Sequence, residues 1–235
     1  KILRADDREG AHLYLLKSGA LTLELSGAGF PALDSSGNDA RKDMEDLPWL
    51  LAIGPQLVSR AISDVELGLG VYQAVSSDFR MTRFTGQIFE AKSTFFWSGK
   101  WRGWNLQPNE TGFIDGRLSI SLKGASRDLQ GLYYDVPLEK STTARPAFDA
   151  RAGHLSTDVS YFQRFKTGKA SFFFGLGLSL YQWAENKNSP LHRSDTNMTA
   201  LVGLNYILGG CERPAVPQED TSGLINTIRR KNEPF

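Results

Sequence analysis

The sequence predicts an all-β chain, an antiparallel up-and-down transmembrane β-barrel. Three observations carry that prediction. Apolar and polar residues alternate with a period of two along most of the chain, which puts them on opposite faces of strands. Connections alternate between short and long. No segment before residue 209 has a convincing helical period. The 235 residues hold 27 Lys+Arg against 26 Asp+Glu, so there is no case for a nucleic-acid partner. No run of ~20 apolar residues offers a membrane-crossing helix, and barrel strands, half apolar, need none. Cys211 is the single cysteine, which excludes an internal disulfide. No secretory leader is visible at Lys1, and one is expected to have been removed or to lie before the chain as given.

The elements follow in order. Residues 1–4 read as the tail of a strand and 6–10 as a charged turn. A short strand over 12–17 turns tightly at Ser18-Gly19 into 21–29. There Leu21, Leu23 and Leu25 alternate with Thr22, Glu24 and Ser26. A charged loop over 30–46 leads to the strand 47–59, with Leu47, Trp49, Leu51, Ile53 and Leu57 on one side. Leu50, Ala52, Gly54 and Gln56 take the other. After a turn at 61–64, Val65, Leu67, Leu69 and Val71 alternate with Glu66, Gly68, Gly70 and Tyr72. A bend near 76–80 precedes Phe89, Ala91, Ser93, Phe95 and Trp97, opposite Glu90, Lys92 and Thr94.

Beyond a Trp-rich turn at 99–112, Leu118, Ile120 and Leu122 alternate with Arg117, Ser119, Ser121 and Lys123. A long connection spans 126–150. Leu155, Val159 and Tyr161 then face away from Ser156, Asp158 and Ser160. A hairpin turn at 166–168 leads to Phe172, Phe174, Leu176, Leu178 and Leu180, opposite Ser171, Gly175, Gly177, Ser179 and Tyr181. A loop over 185–195 precedes the last strand, with Ala200, Val202, Leu204, Tyr206 and Leu208 on one side. This makes nine full strands and an initial fragment.

The connections at 31–46, 126–150 and 185–195 are long, and those between them are shorter. Outer-membrane barrels sort loops this way, with short periplasmic turns and longer external loops. The long loops are therefore expected outside, and both ends of the strand region in the periplasm. Glu24, Glu66, Glu90, Lys92, Arg117, Lys123 and Asp158 would line the lumen, where mixed charges can pair. Trp49, Trp97, Tyr161, Tyr181, Trp183 and Tyr206 sit near strand ends, as in an interfacial girdle. A soluble β-sandwich is the alternative and would turn the same charges to bulk water. Residues 209–235 break the pattern and read as a periplasmic tail behind a barrel domain over 1–208.

Several stretches resemble one family. GFPALDSSGNDARKDMEDL at 29–47, followed by IGPQLV at 53–58, looks like the signature of the MipA/OmpV family of Gram-negative outer-membrane proteins. GWNL at 103–106, YYDV at 133–136, RPAFD at 145–149 and NSPL at 188–191 fit in the same order. The resemblance covers about residues 10–208. It implies a barrel in the cell outer membrane, so lipid contact, and a non-enzymatic scaffold role. Its best-known member is described as linking a lytic transglycosylase to a murein synthase; other members are described as adhesins or osmotically regulated proteins. Peptidoglycan-remodelling enzymes would then be the partners. Full members would make about twelve strands, and single-chain bacterial barrels have even counts, so about 10–12 strands are expected. Either N-terminal strands lie outside the chain as given, or this one closes differently. The competing classes are a narrow channel and a surface adhesin acting through its loops.

Catalytic and metal chemistry find little support. Ser156 sits two residues from His154 on the same face of one strand, with Asp158 following, and makes only a weak dyad candidate; a catalytic His would need a Ser within reach and a third group orienting it. The plainer reading is polar alternation on one face. Asp34, Asn38, Asp39, Asp43, Glu45 and Asp46 offer oxygen ligands, yet match no EF-hand spacing and interleave with Arg41 and Lys42. If Arg41 or Lys42 pairs with these carboxylates, the loop would fold over the barrel mouth. Cys211 after Leu208-Gly-Gly only echoes a lipidation box. No catalytic residue, cofactor site or metal site is therefore assigned.

Overall fold

The computed structural model describes residues 11–30, 40–77, 82–101, 112–167 and 170–206. Nine strands follow one another: β1 (Ala11–Ser18), β2 (Leu21–Phe30), β3 (Trp49–Ile62), β4 (Val65–Ser77), β5 (Thr82–Trp101), β6 (Gly112–Ala125), β7 (Gly153–Thr167), β8 (Ala170–Leu180) and β9 (Thr196–Tyr206). Each pairs antiparallel with the next, in a single up-and-down sheet. Among the described residues no ladder joins β1 to β9. β9, the last strand of the sheet, is exposed on both faces. The nine strands are those the alternation predicts. The fragment at 1–4 and the tail at 209–235 lie outside the described residues.

Side-chain burial is inverted relative to a soluble protein. Leu51, Ile53, Leu57, Leu67, Leu69 and Val71 are exposed, with Leu69 at 63%, whereas Glu24 is 0% exposed and Ser26, Gln56, Glu66, Thr94 and Ser119 are buried. A sheet with one wet face does the reverse. Here the polar residues line a concave interior and the apolar residues form the outer wall, as in a barrel whose outer solvent is hydrocarbon. β3 to β7 have 13 to 20 residues, more than the ~9–11 a tilted strand needs to cross the apolar slab.

Connections sort by end. Gly19, with φ of 59°, turns β1 into β2, and Asp64, with φ of 65°, turns β3 into β4. Asp is among the few residues that tolerate this left-handed region. β5 ends and β6 starts, and β7 ends and β8 starts, at this same end. The other end carries the connections at 31–48, 78–81, 126–152 and 181–195.

Two expectations are corrected at this second end. The connection after β6 contains a helix, α1 (Arg127–Tyr134), and a 3-10 turn at Leu138–Lys140. Eight residues are too short for periodicity to stand out from sequence alone. Leu47, expected on the outer side of a strand, precedes β3 and is buried.

Leu155 also departs from expectation. The register slips between Lys123 and Gly124, so that Lys123 faces Ser156 and Gly124 faces His154. The bulge gives β7 an extra residue, Leu155, which packs inward against the apolar cluster instead of outward.

Candidate loop cap and lumen

An apolar cluster sits at the long-loop end of the interior: Leu50, Ala52, Tyr72, Ala74, Ile88, Ala125 and Leu129, with Leu132, Tyr133 and Leu155 against it. Leu129, Leu132 and Tyr133 are three and four apart, so one face of α1 meets the upper strand ends. Ser126 starts the helix in an extended conformation. Its backbone N–H bonds Gln87 O, and its Oγ accepts from Gln87 N, both at 2.9 Å. The helix is thereby tied to β5 at the point where β6 ends. It packs against the interior apolar cluster at that end.

Above α1 the loops are cross-linked through backbone groups. Arg41 Nη1 donates to Tyr133 O at 3.1 Å and its Nη2 to Glu45 O at 3.4 Å. Arg145 donates to Ala40 O at 3.0 Å, Lys42 O at 2.8 Å and Lys140 O at 2.9 Å. Asp135 accepts from Ala150 N at 2.6 Å and from Arg127 Nη1 at 2.9 Å, and Arg127 also pairs with Asp149. Val136 and Phe148 form an antiparallel bridge. Asn186 exchanges two bonds with the backbone of Arg151, at 2.9 and 2.8 Å, and Ser189 Oγ donates to Tyr134 O at 2.8 Å. Four separated sequence segments, around residues 41, 133–136, 145–149 and 189, thus meet in one cap. Arg41 holds the segment at 40–46 to the end of α1, and it does so through carbonyls. Residues 103–106, the remaining short segment of that resemblance, lie outside the described residues.

Burial sets the electrostatics of the cap. It pushes the Tyr133 hydroxyl up, against a smaller opposing pull from Arg41, and pushes Tyr134 up as well. Burial also lowers the Arg41 guanidinium, and neighbouring Arg145 adds to that. Arg127 is raised by its hydrogen bonds to Asp135 and Asp149. His192 stands between Tyr134 and Tyr181, with Nε2 3.1 Å from Asp195 Oδ1.

Below the cap lies the lumen. Glu24, Glu66, Glu90, Lys92, Lys123 and Asp158 all line it, as the alternation predicts. Lys123 Nζ pairs with Asp158 at 2.8 Å, and Arg60 with Glu66 at 2.7 Å. The weak dyad does not assemble. His154 Nε2 lies 3.2 Å from Thr157 Oγ1, while Ser156 Oγ donates to Asp158 at 3.3 Å. The bulge at Leu155 sets His154 apart from Ser156. The His12 side chain is not among those described. No group of three or more metal-ligating side chains occurs among the described residues. Of the girdle residues, Trp49 and Tyr206 are exposed at opposite strand ends, and the Trp97 and Tyr161 rings meet in a tilted pair at 5.6 Å. Tyr181 instead lines the lumen, and Trp183 is exposed in the 181–195 connection.

A one-sheet, up-and-down wall with an apolar exterior, a charged interior and tied loops at one end defines the class of transmembrane β-barrel proteins. The model of one family, described as the MltA-interacting protein MipA, matches residues 1–208, and the chain belongs to that family. No curated protein and no solved structure matches it.

Proposed function

We propose that this protein is a non-enzymatic scaffold of the outer membrane, holding peptidoglycan-remodelling enzymes against it. The observation that carries the reading is the tied cap at one end of the interior. α1 packs against the strand ends and the connections are bonded to one another there, which suits a wall that presents surfaces better than one that passes solutes. The family's description as an MltA-interacting protein supports an envelope enzyme as partner. The outward apolar face would contact lipid. The long loops would face outside and the short turns the periplasm.

Affinity capture of the tagged full chain from detergent-solubilised outer membranes tests this. Enrichment of lytic transglycosylases or murein synthases over a control barrel is expected, and equal recovery from both would end the reading. A surface adhesin is the second reading. It is favoured by Leu138 and Trp183, exposed at 79% and 60% in the loops. Loss of host-cell binding on replacing both with Ser would favour it. A channel would instead give steady open steps in planar bilayers; the scaffold gives none.

A further inference from the structure

The outer wall carries a groove of about 560 Å3 that crosses the strands from β2 to β7. Register sets two rows of outward residues along it. In one, Leu69 stands opposite Ala91, Ala91 opposite Leu122, and Leu122 opposite Thr157. One step nearer the long-loop end, Val71 stands opposite Phe89, Phe89 opposite Gly124, and Gly124 opposite His154. Ala91 and Gly124 are the low points between larger side chains. A Cβ added at Gly124 would meet only Gly153 O, at 3.4 Å, so nothing fills the floor there.

One end of the groove is polar. His154 lines it where β7 begins, and the bulge at Leu155 puts it there. Gly124, on the outward row, faces His154, whereas Lys123 faces the buried Ser156. Re-aiming a side chain is a common use of a bulge. A polar group among lipid chains is costly without a partner, and an ionisable side chain on a membrane-facing wall marks a site. Thr157 Oγ1 stands 3.2 Å from His154 Nε2. With the hydroxyl donating to that nitrogen, the ring proton sits on Nδ1 as a donor. Among the described residues the imidazole has no other hydrogen bond, so its acceptor comes from the surroundings.

We propose that this groove holds one fatty-acyl ester from the leaflet on the long-loop side. The ester carbonyl accepts from His154, and the chain lies over Gly124 and Ala91 toward β4. The dimensions agree. Neighbouring strands lie about 4.8 Å apart, so the three spacings from β7 to β4 cover about 14 Å. One leaflet supplies half of the ~30 Å hydrocarbon core, about 15 Å for a chain. An apolar channel with a single polar end matches a chain with a single polar end better than it matches a second protein wall. The proposal rests on the outward face meeting lipid and is independent of the scaffold role.

The test is native mass spectrometry of the full chain, folded in detergent and checked by heat-modifiable migration. It is titrated with dimyristoyl phosphatidylcholine or with the ditetradecyl ether analogue, which lacks the carbonyl oxygens. Saturable retention of one ester lipid per chain is expected, at least threefold weaker for the ether. Ala91→Leu raises the floor and should weaken retention at least tenfold. His154→Leu should remove the preference for ester over ether. Leu204→Ala, on the exposed outer face of β9, should change neither. No saturable retention, equal binding of ester and ether by the unmodified chain, undiminished retention in A91L, or a dimer that excludes lipid would overturn the proposal. The ester–ether comparison on the unmodified chain decides the matter even if a variant does not fold. A chain that stays dissolved and monomeric without detergent would instead refute the lipid-facing wall itself.

Discussion

Trp97 Nε1 donates to Gln163 Oε1 at 3.0 Å across the whole width of β6. Gly116 makes the crossing possible: it lies opposite Trp97 on one side and Gln163 on the other. A Cβ at 116 would meet Trp97 Cε2 at 2.6 Å. Gln163 is buried although its neighbours face outward. Its Oε1 also accepts from Tyr161 at 3.1 Å, and its Nε2 donates to Asp115 O at 2.7 Å. An amide is thus sealed beneath two amphipathic rings, which suits the boundary between lipid and water.

Gln163→Leu should therefore destabilise the barrel. It strips Trp97 and Tyr161 of their shared acceptor and Asp115 O of its donor. The expected cost is about 1–3 kcal/mol, read as a lower urea midpoint for loss of the fast-migrating folded band. An unchanged midpoint would mean these bonds contribute nothing.

The cap should loosen separately from the wall. Arg145 ties Ala40, Lys42 and Lys140 through their carbonyls, and hydrogen bonds from charged donors contribute about 1.5–3 kcal/mol each. Arg145→Ala is expected to speed trypsin cleavage in the loops by about tenfold or more, since each 1.4 kcal/mol is a factor of ten. Strand ladders are untouched, so heat-modifiable migration should persist. Opening of this kind is local, not global. Equal cleavage rates in both proteins would count against the clamp.

Alkali should act on the same cap. Burial holds Tyr133 and Tyr134 protonated above the ordinary tyrosine value, which is about 10. Their pKa is higher folded than unfolded, so the folded form binds the proton more tightly. The contribution is fully present below about pH 10 and is lost as pH rises through the folded values. Loop proteolysis should stay flat to that point and then climb. Tyr133→Phe should flatten part of the climb, and a profile identical to that of the unmodified protein would exclude Tyr133 as a source.

The wall was legible in the sequence because strand periodicity states which residues share a face. The alternation of Leu67, Leu69 and Val71 with Glu66, Gly68 and Gly70 fixes a face without naming its solvent. Burial supplies that answer, with Glu24 inside and Leu69 outside. The cap was not legible. α1 is two turns long, its partners Arg41 and Ser189 lie far apart in the chain, and they, like Arg145 beside them, bind carbonyls, which leave no side-chain signature. Leu155 was placed on the wrong face because a single bulged residue inverts everything before it on β7. Tyr181 was read as a girdle residue because strand-end position does not say which face a ring takes.

The face that Leu69 occupies gives the sharpest test of the surrounding solvent. Leu69 pairs with Leu57 and Ala91 in the middle of β4 and points outward at 63% exposure. In water, an exposed Leu→Arg change is close to neutral, since surface substitutions mostly stay within about 0.5 kcal/mol. In hydrocarbon near the bilayer centre, Arg costs about 2–4 kcal/mol. Equilibrium unfolding from phosphatidylcholine vesicles should show the larger loss for Leu69→Arg and a much smaller one for Leu15→Arg, which lies close to the β1–β2 turn. A loss below half a kcal/mol at position 69 would mean that this side of the sheet is covered by something other than lipid.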